Sequence, residues 1–127
     1  LIVGKNHPFA HRSVVPVEDL RDERFIVYIR SFRGTNQMLY DLCAPYGFEP
    51  NIVMEAYNDY GVLNSVASGD GIAIIPTTRF LERPDVVRIP LDLKEPLMRD
   101  LTLVWRKNEK LPSAAAAFRD MLISTAQ

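Results

Sequence analysis

Residues 66–76 read Val66-Ala67-Ser68-Gly69-Asp70-Gly71-Ile72-Ala73-Ile74-Ile75-Pro76: a Gly-Asp-Gly turn followed by four apolar residues with no polar interruption. A short apolar run bounded by turn residues reads as a strand covered on both faces, as in a parallel sheet. Phe25-Ile26-Val27-Tyr28-Ile29 has the same character. Between the two runs, Leu39, Leu42, Cys43 and Tyr46 fall at i, i+3, i+4 and i+7, one face of a helix that begins near Thr35. Pro45 ends or kinks that helix, and Gly47 suits its exit turn. Phe48 to Ala56, with Ile52-Val53-Met54, reads as another strand, after which Asn58 or Asp59 can cap a helix that buries Val62, Leu63 and Val66. A short helix near Thr77 to Leu81 and a strand at Val86 to Ile89 complete the series. This order predicts a parallel α/β unit with right-handed crossovers.

Two pieces lie outside that unit. Leu1 to Gly4 and Leu101 to Trp105 are strand-like, stand at opposite ends of the chain and are expected to meet in space. Pro112 can open a terminal helix in which Leu111, Ala115, Phe118 and Leu122 form an apolar stripe with no evident surface to pack on.

Composition bounds the function. At 127 residues, 47% hydrophobic and 24% charged, the chain has the composition of a globular protein and not of a disordered tail, and one domain is the expected count. Residues 1–33 carry six basic and four acidic groups, 34–82 one and six, 83–110 seven and five, and 111–127 one of each. The net charge of -1 gives no general pull on nucleic acid, and the acidic middle would repel a phosphate backbone. No apolar run approaches the roughly 18 residues of a membrane helix, and Leu1-Ile2-Val3-Gly4-Lys5 has neither a charged leader nor a cleavage site, so a cytoplasmic protein is expected. Cys43 stands alone, which excludes an internal disulfide and a multi-thiolate zinc site.

In this order the chain resembles the C-terminal part of the effector-binding domain of LysR-type transcriptional regulators. The matching stretches are Leu1-Ile2-Val3-Gly4-Lys5-Asn6-His7-Pro8-Phe9-Ala10, Val17-Glu18-Asp19-Leu20 before Arg24-Phe25-Ile26, Gly47-Phe48-Glu49-Pro50, Val66 to Pro76, and Leu101-Thr102-Leu103-Val104-Trp105-Arg106. The resemblance implies a type 2 periplasmic-binding-protein-like fold: two α/β subdomains joined by two crossing strands, with a small effector in the cleft between them. It implies that 1–10 are a hinge strand and linker, 11–95 the second subdomain, and 96–127 the returning hinge strand plus a helix that belongs to the first subdomain. The absent sequence of that first subdomain would then be what the terminal stripe packs on. A winged helix-turn-helix is expected upstream, so DNA is a partner only through that missing N-terminal domain. The resemblance further implies a homodimer or homotetramer, assembled on this side through roughly Thr35 to Ala56.

Ligands of open α/β sheets sit beyond the carboxyl ends of the strands, where loops lead into helices. Arg30-Ser31-Phe32-Arg33-Gly34-Thr35 lies at such a point and combines hydroxyls, two guanidinium groups and a glycine, a set suited to a small carboxylate. Gly34 and Thr35 match positions that line the family's cleft and lead the candidates, with Ser31, Phe32 and Arg33 behind them. Asn58 and Asp59 after the next strand, and Thr77 after the third, open on the same edge, while Leu101 offers an apolar contact at the hinge. Each has a plainer reading: Thr35, Asn58, Asp59 and Thr77 are ordinary helix caps, and Asp59 would repel an anionic effector unless an arginine intervened.

His7 and His11 are four apart, but Pro8 argues against a helix that would unite them, so they read as exposed loop histidines and not as a metal or acid-base pair. Cys43 reads as a small buried hydrophobe and Trp105 as hinge packing. No catalytic constellation and no cofactor motif emerges. The leading expectation is therefore an effector-sensing module of a cytoplasmic transcription regulator and not an enzyme. A dehydratase or deaminase on the same scaffold would need a positioned acid-base pair. An extracytoplasmic solute-binding protein of the same fold is the alternative, separated from the regulator by an export signal in place of an upstream helix-turn-helix.

Overall fold

The apolar runs are buried on two faces, and the division follows the two-residue period of a strand. Phe25, Val27 and Ile72 join a cluster with Leu1, Val3, Leu39 and Cys43. Ile26 and Ala73 join a second with Ile2, Ala56, Val62, Leu63 and Val66. The computed structural model describes residues 1–29, 35–75, 82–98 and 102–125. They fall into two units, Leu1–Leu97 and Met98–Gln127.

In the first unit the strands are β1 (Ile2–Gly4), β2 (Val15–Pro16), β3 (Arg24–Tyr28), β4 (Asn51–Ala56), β5 (Val86–Arg88) and β6 (Leu91–Asp92), with helices α1 (Thr35–Cys43) and α2 (Asp59–Ala67). β3 and β4 pair in parallel, β1 and β5 antiparallel, and the short β2 and β6 in parallel. Ile72 and Ala73 stitch the first two pairs together: the Ile72 amide donates to the Arg24 carbonyl at 2.8 Å, and the Ile2 amide to the Ala73 carbonyl at 2.8 Å. The resulting order is β4, β3, Ile72-Ala73, β1, β5, with α1 and α2 supplying the apolar cover of the two clusters. Gly71 permits the approach, since a Cβ there would stand 2.5 Å from the Arg24 carbonyl oxygen.

The expected α/β unit is present, with differences of detail. Among the described residues, the run Ile72 to Ile75 forms only two isolated bridges and not a full strand, because β1 and β3 reach it only at its start. The strand expected at Val86 to Ile89 is β5, and its antiparallel pairing makes the layer mixed, a direction that an apolar run cannot report. β2 and β6, two residues each, have no periodicity to betray them. α1 ends as expected: a 3-10 turn, Ala44–Tyr46, carries Pro45, and Gly47 closes it at φ 72°. Arg21 holds that end by donating to the Tyr46 carbonyl at 2.7 Å and the Gly47 carbonyl at 3.1 Å, with its guanidinium 5.0 Å from the Phe48 ring centre.

His7 differs from its expectation. It is largely covered: its Nδ1 accepts the Phe9 amide at 3.2 Å, and its Nε2 lies 3.3 Å from Glu23. Pro8 and Phe9 open a 3-10 turn, and His7 caps it.

In the second unit, α3 (Ser113–Thr125) confirms the terminal helix that follows Pro112. Its large apolar side chains are uncovered, with Phe118 56% and Met121 55% exposed, and Leu122 and Ile123 also exposed. Thr102 to Trp105 carry no regular structure where a strand was expected, since β-propensity alone supplies no ladder partner. Trp105 is half exposed and has the Arg119 guanidinium 5.6 Å from its ring centre.

Candidate functional site

β3 and β4 run in parallel and end side by side at Tyr28 and Ala56, where the Ile29 amide donates to the Ala56 carbonyl at 3.0 Å. Both following helices start at this edge. Asn58, extended at φ −155°, caps α2 by accepting the Gly61 amide on its Oδ1 at 2.9 Å, which satisfies one of the free amides of a first helical turn. Asp59, the first residue of α2, accepts a hydrogen bond from the Tyr28 hydroxyl. Asn36, in the first turn of α1, donates from Nδ2 to the Tyr28 carbonyl at 3.1 Å, while its buried Oδ1 has no partner among the described residues. Tyr28 thus links the starts of two helices, through its carbonyl to α1 and through its hydroxyl to α2. Tyr57 and Tyr60 flank Asp59, each 76% exposed.

Of the residues expected at the site, Asn58 and Asp59 are together at this edge. Thr35 is the first residue of α1. Ser31, Phe32, Arg33, Gly34, Thr77 and Leu101 lie outside the described residues. Tyr28 and Asn36 were missed by sequence reasoning. Their signal was positional: the last residue of a strand and an amide in the first turn of the next helix both face the edge where parallel strands end.

The groups gathered at this edge are side-chain amides, a hydroxyl and a carboxylate. Among the described residues no group of three His, Cys, Asp or Glu side chains could hold a metal ion. Where titration is displaced, it belongs to the scaffold. Burial pushes the Cys43 thiol up to about 11, which keeps it protonated and unreactive. The Asp85 carboxyl is held below its usual range mainly by the Arg83 guanidinium, which grips it at 2.6 and 2.9 Å and donates to Asn64 of α2 at 2.6 Å. A separate open groove of about 500 Å³ runs along α1 and the turn after it, lined by Gln37, Tyr40, Asp41, Ala44, Gly47, Phe48 and Glu49.

A family profile described as the LysR substrate binding domain matches residues 1–127. The chain belongs to this family. This LysR effector-binding domain is 27% identical over 124 residues to the transcriptional dual regulator GltC of Bacillus subtilis (strain 168), covering 96% of the chain and 41% of GltC. It is 31% identical over 114 residues to the HTH-type transcriptional regulator AlsR of the same organism, covering 88% of the chain and 37% of AlsR. Its fold superposes on the effector binding domain of QuiR in complex with shikimate with a TM-score of 0.76 at 25% identity, covering 94% of the chain and 56% of that domain. The LysR chain therefore spans about two fifths of the curated relatives it matches, and those relatives are transcriptional regulators, not enzymes. Among the described residues no helix is long and apolar enough to cross a membrane.

Proposed function

We propose that this LysR domain senses a small anionic molecule in a cleft between two subdomains of a cytoplasmic, DNA-binding regulator. The cleft wall contributed here is the edge where β3 and β4 end. The observation that carries this reading is the convergence of two helix starts on Tyr28, with Asn36, Asn58 and Asp59 gathered around it. Arg30, Ser31, Phe32, Arg33, Gly34 and Thr35 connect β3 to α1 in the sequence and supply the cationic and hydroxyl groups for an anion, with Thr77 and Leu101 contributing from the other loops. The effector acts by shifting the angle between subdomains, and its leverage equals its differential affinity for the two arrangements. Leu1 to Lys5 and 101–105 act as the two connections between the subdomains, and α3 packs on the first subdomain, to which its uncovered apolar face is suited. DNA is contacted only through a helix-turn-helix outside this sequence.

Self-association through α1 and β4 fits the exposure of Tyr40, Val53 and Met54, and a homodimer or homotetramer is proposed. Calorimetry tests the ligand reading. The full-length regulator, titrated with shikimate and a panel of small carboxylates, should bind at least one of them, and Thr35→Ala should weaken that binding. The 127-residue chain, with one wall of the cleft, should bind weakly or undetectably. Micromolar binding by the isolated chain would overturn the two-walled cleft.

A further inference from the structure

Beyond effector recognition, we infer that His7 is a proton-operated clip between the exit of β1 and the entry of β3. His7 holds three things at once. Its amide donates to the Gly4 carbonyl at 2.9 Å, its Nδ1 accepts the Phe9 amide at 3.2 Å, and its Nε2 faces the Glu23 carboxylate at 3.3 Å. The ring also packs edge-on against Phe9, with centres 4.9 Å apart. Only the neutral form with hydrogen on Nε2 satisfies both nitrogens, since Nδ1 must keep its lone pair for the Phe9 amide and Nε2 must donate to Glu23. A second proton can enter only at Nδ1. There it would set one N–H against another, releasing the cap of the 3-10 turn while strengthening the attraction to Glu23. Protonation thus exchanges a backbone anchor for an ion pair.

The charged groups around the ring leave this exchange to His7 and Glu23. Arg12 lies over the Phe9 ring, 4.8 Å from its centre, and is paired with Asp19, and Lys5 precedes His7 by two residues on the same loop. His11, at the end of the turn, is exposed. Histidine is the side chain whose charge ordinarily changes between pH 5 and 8. The consequence is local: with the ring protonated, the start of the 3-10 turn Pro8–His11 that follows β1 would loosen while the turn before β3 is gripped harder.

Nuclear magnetic resonance on the 127-residue chain decides the matter. Long-range imidazole nitrogen correlations at pH 7.5 should show hydrogen on Nε2 and a bare Nδ1 for His7; hydrogen on Nδ1 would overturn the inference without any variant. Between pH 8 and 5 the Phe9 amide signal should move through one titration and its hydrogen exchange should accelerate. His7→Asn, whose side-chain oxygen can still accept the Phe9 amide, should abolish that titration while keeping the folded spectrum. A Phe9 amide unmoved by pH in the wild type, or one that titrates equally in His7→Asn, would refute the clip.

Discussion

The two units of the chain treat the same kind of residue in opposite ways. In Leu1–Leu97, apolar side chains three apart or two apart find cover: Phe25, Val66 and Ile72 are fully buried. In Met98–Gln127, α3 has its own apolar stripe, yet Phe118, Met121, Leu122 and Ile123 stay in solvent. An amphipathic pattern states what a helix requires and does not supply it. Apolar surface contributes about 25 cal/mol per Å² only when something removes it from water.

The sharpest test of this contrast is Phe25→Ala. It should cost about 3–5 kcal/mol in urea unfolding, because it empties the centre of the larger cluster. Gly71→Ala should come next, at about 1–3 kcal/mol, because the nearest atom the added methyl meets is the backbone carbonyl oxygen of Arg24, which cannot swing aside as a flexible side chain would. Unchanged stability in either variant would mean that β3 and Ile72 are not packed as described. Asn58→Ala should cost about 1 kcal/mol through the lost cap, with Asn58→Asp recovering most of it. Phe118→Ala, a deletion of the same size as the first, should change stability by less than about 0.5 kcal/mol, and light scattering should show less self-association. A loss comparable to that of Phe25→Ala would erase the distinction between the units.

The smallest effect concerns pH. Asp85 titrates below its ordinary value of 3.8 because Arg83 grips its charged form. That contribution is present above the ordinary value and disappears as pH falls through the depressed one. Asp85→Asn should therefore flatten the acid limb of the stability curve slightly below about pH 4, and leave the curve above pH 5 parallel to that of the wild type. The pair is exposed to solvent, which keeps the change small.

How much of this was legible in the sequence depended on which signals are local. Apolar runs and helix faces are local, so β3, α1, α2 and α3 were found, as were Asn58 as a cap and Gly47 as an exit turn. Pairings are not local. The two-residue β2 and β6 are strands only because each has the other, and Ile74 and Ile75, as apolar as Ile72, have no ladder to join among the described residues. His7 was misjudged for the same reason, since Glu23 is 16 positions away. At the candidate site, Asn58 and Asp59 were visible as cap residues. Tyr28 and Asn36 were not, because a strand-end tyrosine and a first-turn amide gain meaning only when neighbouring strands set them side by side.

The pairing of β1 also imposes a timetable. Ile2 finds its partners at Ala73 and Arg88, so β1 cannot complete its pairing until the chain has been extended from it as far as Arg88. At roughly 5–20 residues per second of synthesis, Leu1-Ile2-Val3 waits about 4–18 seconds on the ribosome. During that interval Ile2 and Val3, both enclosed in the finished molecule, are sticky and unclaimed, a natural landing place for a nascent-chain chaperone.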